Sequence, residues 1–75
     1  MTLDSGIIGK TYVVTSINLN EEIKRRLQIL GVTKNSEISV INAKRKGAVI
    51  VRIRGTRYAL GREFAKGIET EDKAV

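Results

Sequence analysis

Hydrophobic and polar positions follow two different periods along this chain. Residues 10–17 are rich in β-branched and aromatic side chains, and residues 37–41 and 49–54 alternate between apolar and polar positions. Such runs are typical of β-strands, in which successive side chains point to opposite faces of a sheet. Shorter runs at 57–60 and 67–70 complete a set of five predicted strands. The pattern therefore predicts a protein built mainly from short strands.

One segment has a helical period instead. Ile23, Leu27 and Leu30 occur at i, i+4 and i+7, which places three large aliphatic side chains on one face of a helix. Asn20 precedes this stripe as an N-cap, and Gly31 follows it as the left-handed residue that ends many helices. We therefore predict one helix after the first strand.

Turn residues separate the predicted elements. Asn35 tolerates a left-handed backbone and is expected in a turn after the helix. A second turn is expected at 44–47, a tight reversal at Gly55 and Thr56, and a single helical turn at 62–66. The predicted fold is mainly β: a small antiparallel barrel made by a strand meander, with the inserted α-helix at one open end.

The length of 75 residues allows one hydrophobic core. We therefore treat 1–75 as a single domain, with an ordered core at about 7–70 and frayed ends. Glu69, Glu71 and Asp72 are interpreted as part of a solvated acidic tail.

The composition argues against catalysis. The chain has no histidine and no cysteine, so it lacks the usual nucleophiles, proton shuttles and imidazole or thiolate metal ligands. We predict a protein that is not an enzyme, with no catalytic residues, no metal ligands and no cofactor. No apolar run approaches the roughly 20 residues of a membrane span, so we expect no membrane insertion and a cytoplasmic location.

Positive charge is concentrated in one part of the chain. The net charge is +6, and residues 44–66 carry eight basic side chains against Glu63 alone. Such a surface attracts acidic partners, although charges on exposed strands also serve solubility. Tyr58 and Phe64 are expected in the core rather than as stacking platforms, which disfavours nucleic acid as a partner. The candidate partner-binding residues are Lys44, Arg45, Arg52, Arg54, Arg57 and Arg62.

Several segments resemble one family. Residues 26–32 followed by 36–40 resemble the FeoA family, which comprises small cytoplasmic accessory proteins of bacterial ferrous iron uptake. Residues 49–68 resemble the hairpin and closing segment of that family, and the similarity extends over about 3–70. The resemblance implies a Src-homology-3-like barrel that supports a separate membrane ferrous iron transporter with a cytoplasmic GTPase domain. Weak or transient binding of ferrous ion stays open.

Individual positions match the family pattern at two places. Leu27, Leu30 and Gly31 match the end of its helix, and Ala59, Leu60 and Ala65 match its closing segment. Asn35 stands where a proline-glycine turn is common, and a left-handed asparagine preserves the turn. The positions to which we assign structural roles are Ile23, Leu27, Leu30, Gly31, Asn35, Leu60 and Ala65.

The leading hypothesis is an adaptor that docks on the cytoplasmic GTPase part of the transporter through the basic hairpin or the helix end. The alternative is a basic barrel that binds nucleic acid, a hypothesis suggested by the net charge. A third interpretation is a module that self-associates weakly through an exposed strand edge.

Overall fold

The computed structural model describes residues 1–43 and 47–73, which form one antiparallel sheet with two helices. Its elements are a 3-10 turn (Leu3–Ser5), β1 (Thr11–Ile17), α1 (Glu21–Leu30), β2 (Glu37–Ala43), β3 (Val49–Ile53), β4 (Thr56–Leu60), α2 (Arg62–Ala65) and β5 (Ile68–Asp72). The strand order is β4-β3-β2-β1-β5, so the last strand returns to lie beside the first. The predicted mainly β fold with a helix after the first strand is confirmed. The sheet is not closed, and β4 and β5 are its edges.

Both ends of α1 have the predicted geometry. The Asn20 side chain accepts a hydrogen bond from the Ile23 N–H at 2.9 Å. At the other end Gly31 has φ of 102°, and its N–H donates to the Gln28 carbonyl at 3.0 Å. The Val32 N–H donates to the Leu27 carbonyl at 2.8 Å. This pair of bonds is the Schellman arrangement, which satisfies carbonyl groups that the helix itself leaves without partners.

The turn between α1 and β2 also has the predicted conformation. Asn35 has φ of 74°, in the left-handed region. Its N–H donates to the Val14 carbonyl at 2.7 Å, and the Ser36 N–H donates to the Thr33 carbonyl at 3.0 Å. Asn35 therefore joins the turn to β1.

The core lies on the inner face of the sheet, and α1 adds Leu27 to it. Val49, Val51 and Ile53 alternate inward along β3, as their spacing predicts. Leu27 is buried, whereas Ile23 and Leu30 are partly buried against the core. The buried hydrophobic residues are Leu3, Tyr12, Val14, Leu27, Val32, Ile38, Val40, Val49, Val51, Ile53, Leu60, Ala65 and Ile68.

The β3–β4 turn begins one residue earlier than predicted. Ile53 and Thr56 are paired, and the two central residues are Arg54 with φ of 52° and Gly55 with φ of 81°. Two-residue hairpin loops of this kind require positive φ at both central positions, because that twist matches the flanking strands. The prediction of Arg54 as a strand residue and of Gly55 and Thr56 as the reversal was therefore wrong.

The acidic residues near the end of the described chain belong to the sheet. Glu71 is paired with Val13, and Asp72 is paired with Tyr12. The Lys10 ammonium lies 3.1 Å from an Asp72 carboxylate oxygen. The interpretation of these acids as a solvated tail was wrong, since backbone pairing with β1 holds them in place.

The first residues are also packed. Leu3 is fully buried, and the Met1 carbonyl accepts hydrogen bonds from the Thr70 N–H at 2.7 Å and the Thr70 hydroxyl at 3.0 Å. The packed structure therefore extends beyond residues 7–70 at both ends.

Candidate functional site

Two of the predicted basic residues come together on the outer face of the sheet. Arg52 on β3 and Arg57 on β4 are paired across the strands, and both are exposed. Like charges at directly opposite positions weaken strand pairing. No carboxylate in the described part of the chain forms an ion pair with either guanidinium. This arrangement leaves two positive groups available to an anionic partner.

The same line of positions continues across the sheet. Arg52 is also paired with Ser39 on β2, and Ser39 is paired with Thr11 on β1. The hydroxyl oxygens of Thr11 and Ser39 are 2.8 Å apart. We call these four residues, Thr11, Ser39, Arg52 and Arg57, the basic row. Guanidinium and hydroxyl groups all donate hydrogen bonds, so the basic row is suited to carboxylate or phosphate oxygens.

Arg54 has a different position. A Cβ atom on Gly31 would lie 3.0 Å from the Arg54 Nε and 3.1 Å from its Cδ, so the Arg54 side chain lies against the end of α1. The carboxyl end of a helix carries partial negative charge, and the last turn of α1 has no basic residue of its own. Arg54 places a positive charge there from a neighbouring turn.

Arg62 and the remaining predicted residues also lie apart from the basic row. Arg62 is half-buried on α2, and its Nη1 donates a long hydrogen bond of 3.5 Å to the Asp4 carbonyl. This contact connects α2 to the 3-10 turn. Lys44 and Arg45 fall outside the described residues.

An apolar groove of about 180 Å³ lies between α1 and the segment that joins β4 to α2. One wall is the exposed part of the α1 stripe, because Ile23 and Leu30 are only half-buried. The other wall is completed where the chain turns at Gly61 and brings the Phe64 ring alongside. The groove is lined by Ile23, Arg26, Leu27, Leu30, Ala59, Leu60, Gly61 and Phe64.

Sequence reasoning identified this surface only in part, because it named the helix end but not the groove as a docking contact. It assigned Leu30 and Leu60 structural roles and Phe64 to the core, whereas Phe64 is half-buried on the groove wall. A usable signal was the structural role assigned to Ala65, because neighbouring residues in a single helical turn point in different directions.

No group of three or more acidic side chains in residues 1–43 and 47–73 is arranged to hold a metal ion. Within the same residues, no helix is long and apolar enough to cross a membrane.

Comparison with known proteins identifies the family. A model of the FeoA domain matches residues 1–72. The chain belongs to the FeoA family. The predicted family is therefore confirmed. This family is linked to ferrous iron transport and is a small accessory domain. A comparison with curated protein sequences gave no match.

Solved structures agree with this assignment. FeoA from Chlorobium tepidum is 27% identical with a TM-score of 0.89, over 99% of this chain and 71% of that one. FeoA from Stenotrophomonas maltophilia, solved with zinc, is 29% identical with a TM-score of 0.82, over 95% of this chain and 89% of that one. The latter is described as a prokaryotic SH3 domain protein with a possible role as a ferrous iron transport activating factor.

The fold also occurs in another context. A manganese-dependent transcriptional repressor is 21% identical with a TM-score of 0.86, and the match covers 99% of this chain and 41% of that one. At this identity the likeness shows the fold alone. The predicted SH3-like fold is confirmed by the FeoA structures.

Four of the six positions at which the sequence resembles the FeoA pattern line one surface. Leu27 and Leu30 from the helix end, and Ala59 and Leu60 from the closing segment, all line the apolar groove. These four residues are distant in sequence and meet at one place in the fold.

Proposed function

We propose that this FeoA-family chain is a non-enzymatic accessory protein of ferrous iron uptake, which docks on the cytoplasmic GTPase part of a membrane ferrous iron transporter. Family membership supports the link to iron transport. The observation that carries the docking proposal is the apolar groove, at which the family-type residues meet.

The groove has the features of a protein-binding pocket. It is concave, Leu30 and Phe64 on its walls are only half-buried, and the charged residue Arg26 is among its lining side chains. An apolar side chain of a partner seated there would gain about 25 cal/mol for each Å² of apolar surface removed from water. Apolar anchors in pockets with a polar rim provide much of the free energy of binding at many protein interfaces.

The basic row supplies a second, electrostatic element. Arg52 and Arg57 are exposed and have no acidic partner in the described part of the chain. Such charges accelerate encounter with an acidic surface and fix the orientation of docking more than they add affinity. The partner surface is therefore expected to carry an apolar anchor and nearby carboxylates.

Calorimetric titration against the cytoplasmic domain of the organism's own ferrous iron transporter, with and without GTP, tests this proposal. Ala59→Glu places a charge at an exposed position on the groove wall and should abolish saturable binding. The double variant R52E/R57E should weaken binding and reduce its dependence on salt. The matched control is R25E/K66E, which changes the same amount of charge at exposed positions outside both surfaces.

Two outcomes would contradict the proposal. Equal binding by wild type, A59E and R52E/R57E would exclude both surfaces, and absence of binding by the wild type would exclude docking on this domain. A parallel titration with mixed single-stranded oligonucleotides examines the alternative. Binding to oligonucleotides alone, in the range of about 10⁻⁴ to 10⁻⁶ M near physiological salt, would favour the nucleic-acid hypothesis.

A further inference from the structure

The second half of β1 has a neighbouring strand on one side only. The β1–β2 register covers Thr11 to Val13, and two hydrogen bonds at Val14 extend it into the preceding turn. On the other side, β5 stays paired with β1 as far as Ile17. The chain before β2 thus diverges from β1 after Val14, and Thr15–Ile17 is an open strand edge within the sheet.

The polar groups of Ile17 face this open side. The Asn18 N–H donates to the Gly67 carbonyl at 2.7 Å, and Ile17 is paired with Ile68 at the next position. Hydrogen-bonded and non-hydrogen-bonded pairs alternate along an antiparallel ladder. The Ile17–Ile68 pair is therefore non-hydrogen-bonded, and the Ile17 N–H and C=O point away from β5. No turn, loop or side-chain hydrogen bond among residues 1–43 and 47–73 reaches them.

A polar cleft of about 470 Å³ lies on this side of β1. Lys24 and Gln28, one helical turn apart, come from a face of α1 that is distinct from the stripe lining the apolar groove. The turn after α1 contributes Thr33 and Lys34. The cleft is lined by Thr15, Ser16, Ile17, Asn18, Lys24, Gln28, Thr33 and Lys34.

The charge in the polar cleft has one sign. Among the described residues, Lys24 and Lys34 are the only charged ones that line it, and no carboxylate does. Neither ammonium group forms an ion pair with a residue that the structure describes. Both charged side chains that line the cleft are therefore positive, which favours an anionic occupant.

We propose that the polar cleft binds an extended acidic segment of a partner protein, which adds to β1 as a short strand. One residue of the segment exchanges two main-chain hydrogen bonds with Ile17, and carboxylates of the segment lie beside Lys24 and Lys34. Thr15–Ile17 is about 10 Å long at the usual strand rise, which is room for about three residues. This proposal does not depend on the docking proposed above, since it concerns a different surface and a different chemistry.

The Ile17 N–H and C=O together favour a peptide over a free oxyanion. The Ile17 C=O accepts hydrogen bonds and needs a donor, which a peptide N–H supplies. A carboxylate or the dianion of a phosphate monoester offers only acceptors, so it would engage the lysines and the Ile17 N–H but leave the carbonyl without a donor.

The test is an NMR titration of the ¹⁵N-labelled full chain with the capped peptide acetyl-EVEVE-amide. We expect shifts of the Ile17, Asn18 and Thr33 amide signals that saturate with peptide concentration. K24E/K34E should weaken binding by about tenfold or more, whereas R25E/K66E should change it by no more than about twofold. Retention of the wild-type signal dispersion by each variant shows that it is folded.

Two N-methylated forms of the peptide test the strand pairing. Only alternate amides of an added strand face β1. One of the two methylated peptides, with methyl groups on the valine amides or on the glutamate amides, should therefore bind about fivefold more weakly, and the other should bind like the unmethylated peptide. No effect from either set, together with displacement of the peptide by inorganic phosphate, would reduce the cleft to an anion site and overturn the proposal. Absence of shifts at millimolar peptide, shifts confined to the apolar groove, or equal binding by K24E/K34E would also overturn it.

Discussion

The two faces of α1 contribute to the molecule in different ways. On one face Leu27 is 4% exposed and Ile23 and Leu30 pack partly against the core, so this face attaches the helix to the sheet. On the other face Lys24 and Gln28 line the polar cleft. A ten-residue helix is too short to be stable alone, so α1 depends on its apolar face. The polar face is therefore not needed to attach the helix to the sheet.

The two candidate surfaces differ in how far their residues also stabilise the fold. The apolar groove is the outer margin of the stabilising face, so residues that pack against the core also line the proposed docking site. The polar cleft exists because β1 and the chain before β2 diverge after Val14. Substitutions in the groove should therefore affect both stability and binding, whereas substitutions in the cleft should affect binding alone.

Leu27→Ala should give the largest loss of stability. Removal of a buried leucine side chain leaves a cavity and typically costs about 2–5 kcal/mol in the free energy of unfolding. Ile29→Ala is the matched control on the same helix, because Ile29 is 80% exposed and its loss should change stability by no more than about 0.5 kcal/mol. Urea unfolding followed by circular dichroism measures both. Similar losses for the two variants would contradict the assignment of one stabilising face.

Gly31→Ala should give the next largest effect, because Gly31 fixes the end of α1 for both faces. An alanine there would adopt a left-handed φ at a cost of about 1–2 kcal/mol, and its Cβ would lie 3.2 Å from the Ile53 Cγ2 as well as close to Arg54. Gly9→Ala is the control, since Gly9 has φ of 92° and a Cβ atom added there would meet no other atom within 4 Å. The difference between the two variants in the free energy of unfolding, measured in urea, gives the cost of crowding the Cβ atom at residue 31. Equal losses would mean that the Arg54 side chain moves away freely.

The helix and the inner strands were predictable because their signals are local. The i, i+4, i+7 stripe from Ile23 to Leu30 and the alternation from Val49 to Ile53 each lie within one element and identify its buried face. Asn35 and Gly31 likewise reveal a left-handed backbone through residue type alone. The family resemblance agreed with these local signals.

The remaining features depend on contacts between distant parts of the chain. The acids of β5 resemble a tail in sequence, and only their pairing with Tyr12 and Val13 makes them a strand. Arg54 follows the alternation of β3, so the turn residue was indistinguishable from a strand residue. The polar cleft is defined by where β1 and the chain before β2 separate, and no periodicity encodes that separation.

Substitutions on the polar face of α1 should change stability least. The double variant K24A/Q28A removes two cleft side chains that have no ion pair or side-chain hydrogen bond in the described structure, and alanine is the best helix former. Its free energy of unfolding in urea should stay within about 0.5 kcal/mol of wild type. A loss above about 1 kcal/mol would show that Lys24 and Gln28 pack through their aliphatic stems, and the polar face would then be structural as well. Unchanged stability combined with weaker binding of the acidic peptide would instead show that Lys24 and Gln28 contribute to binding and not to stability.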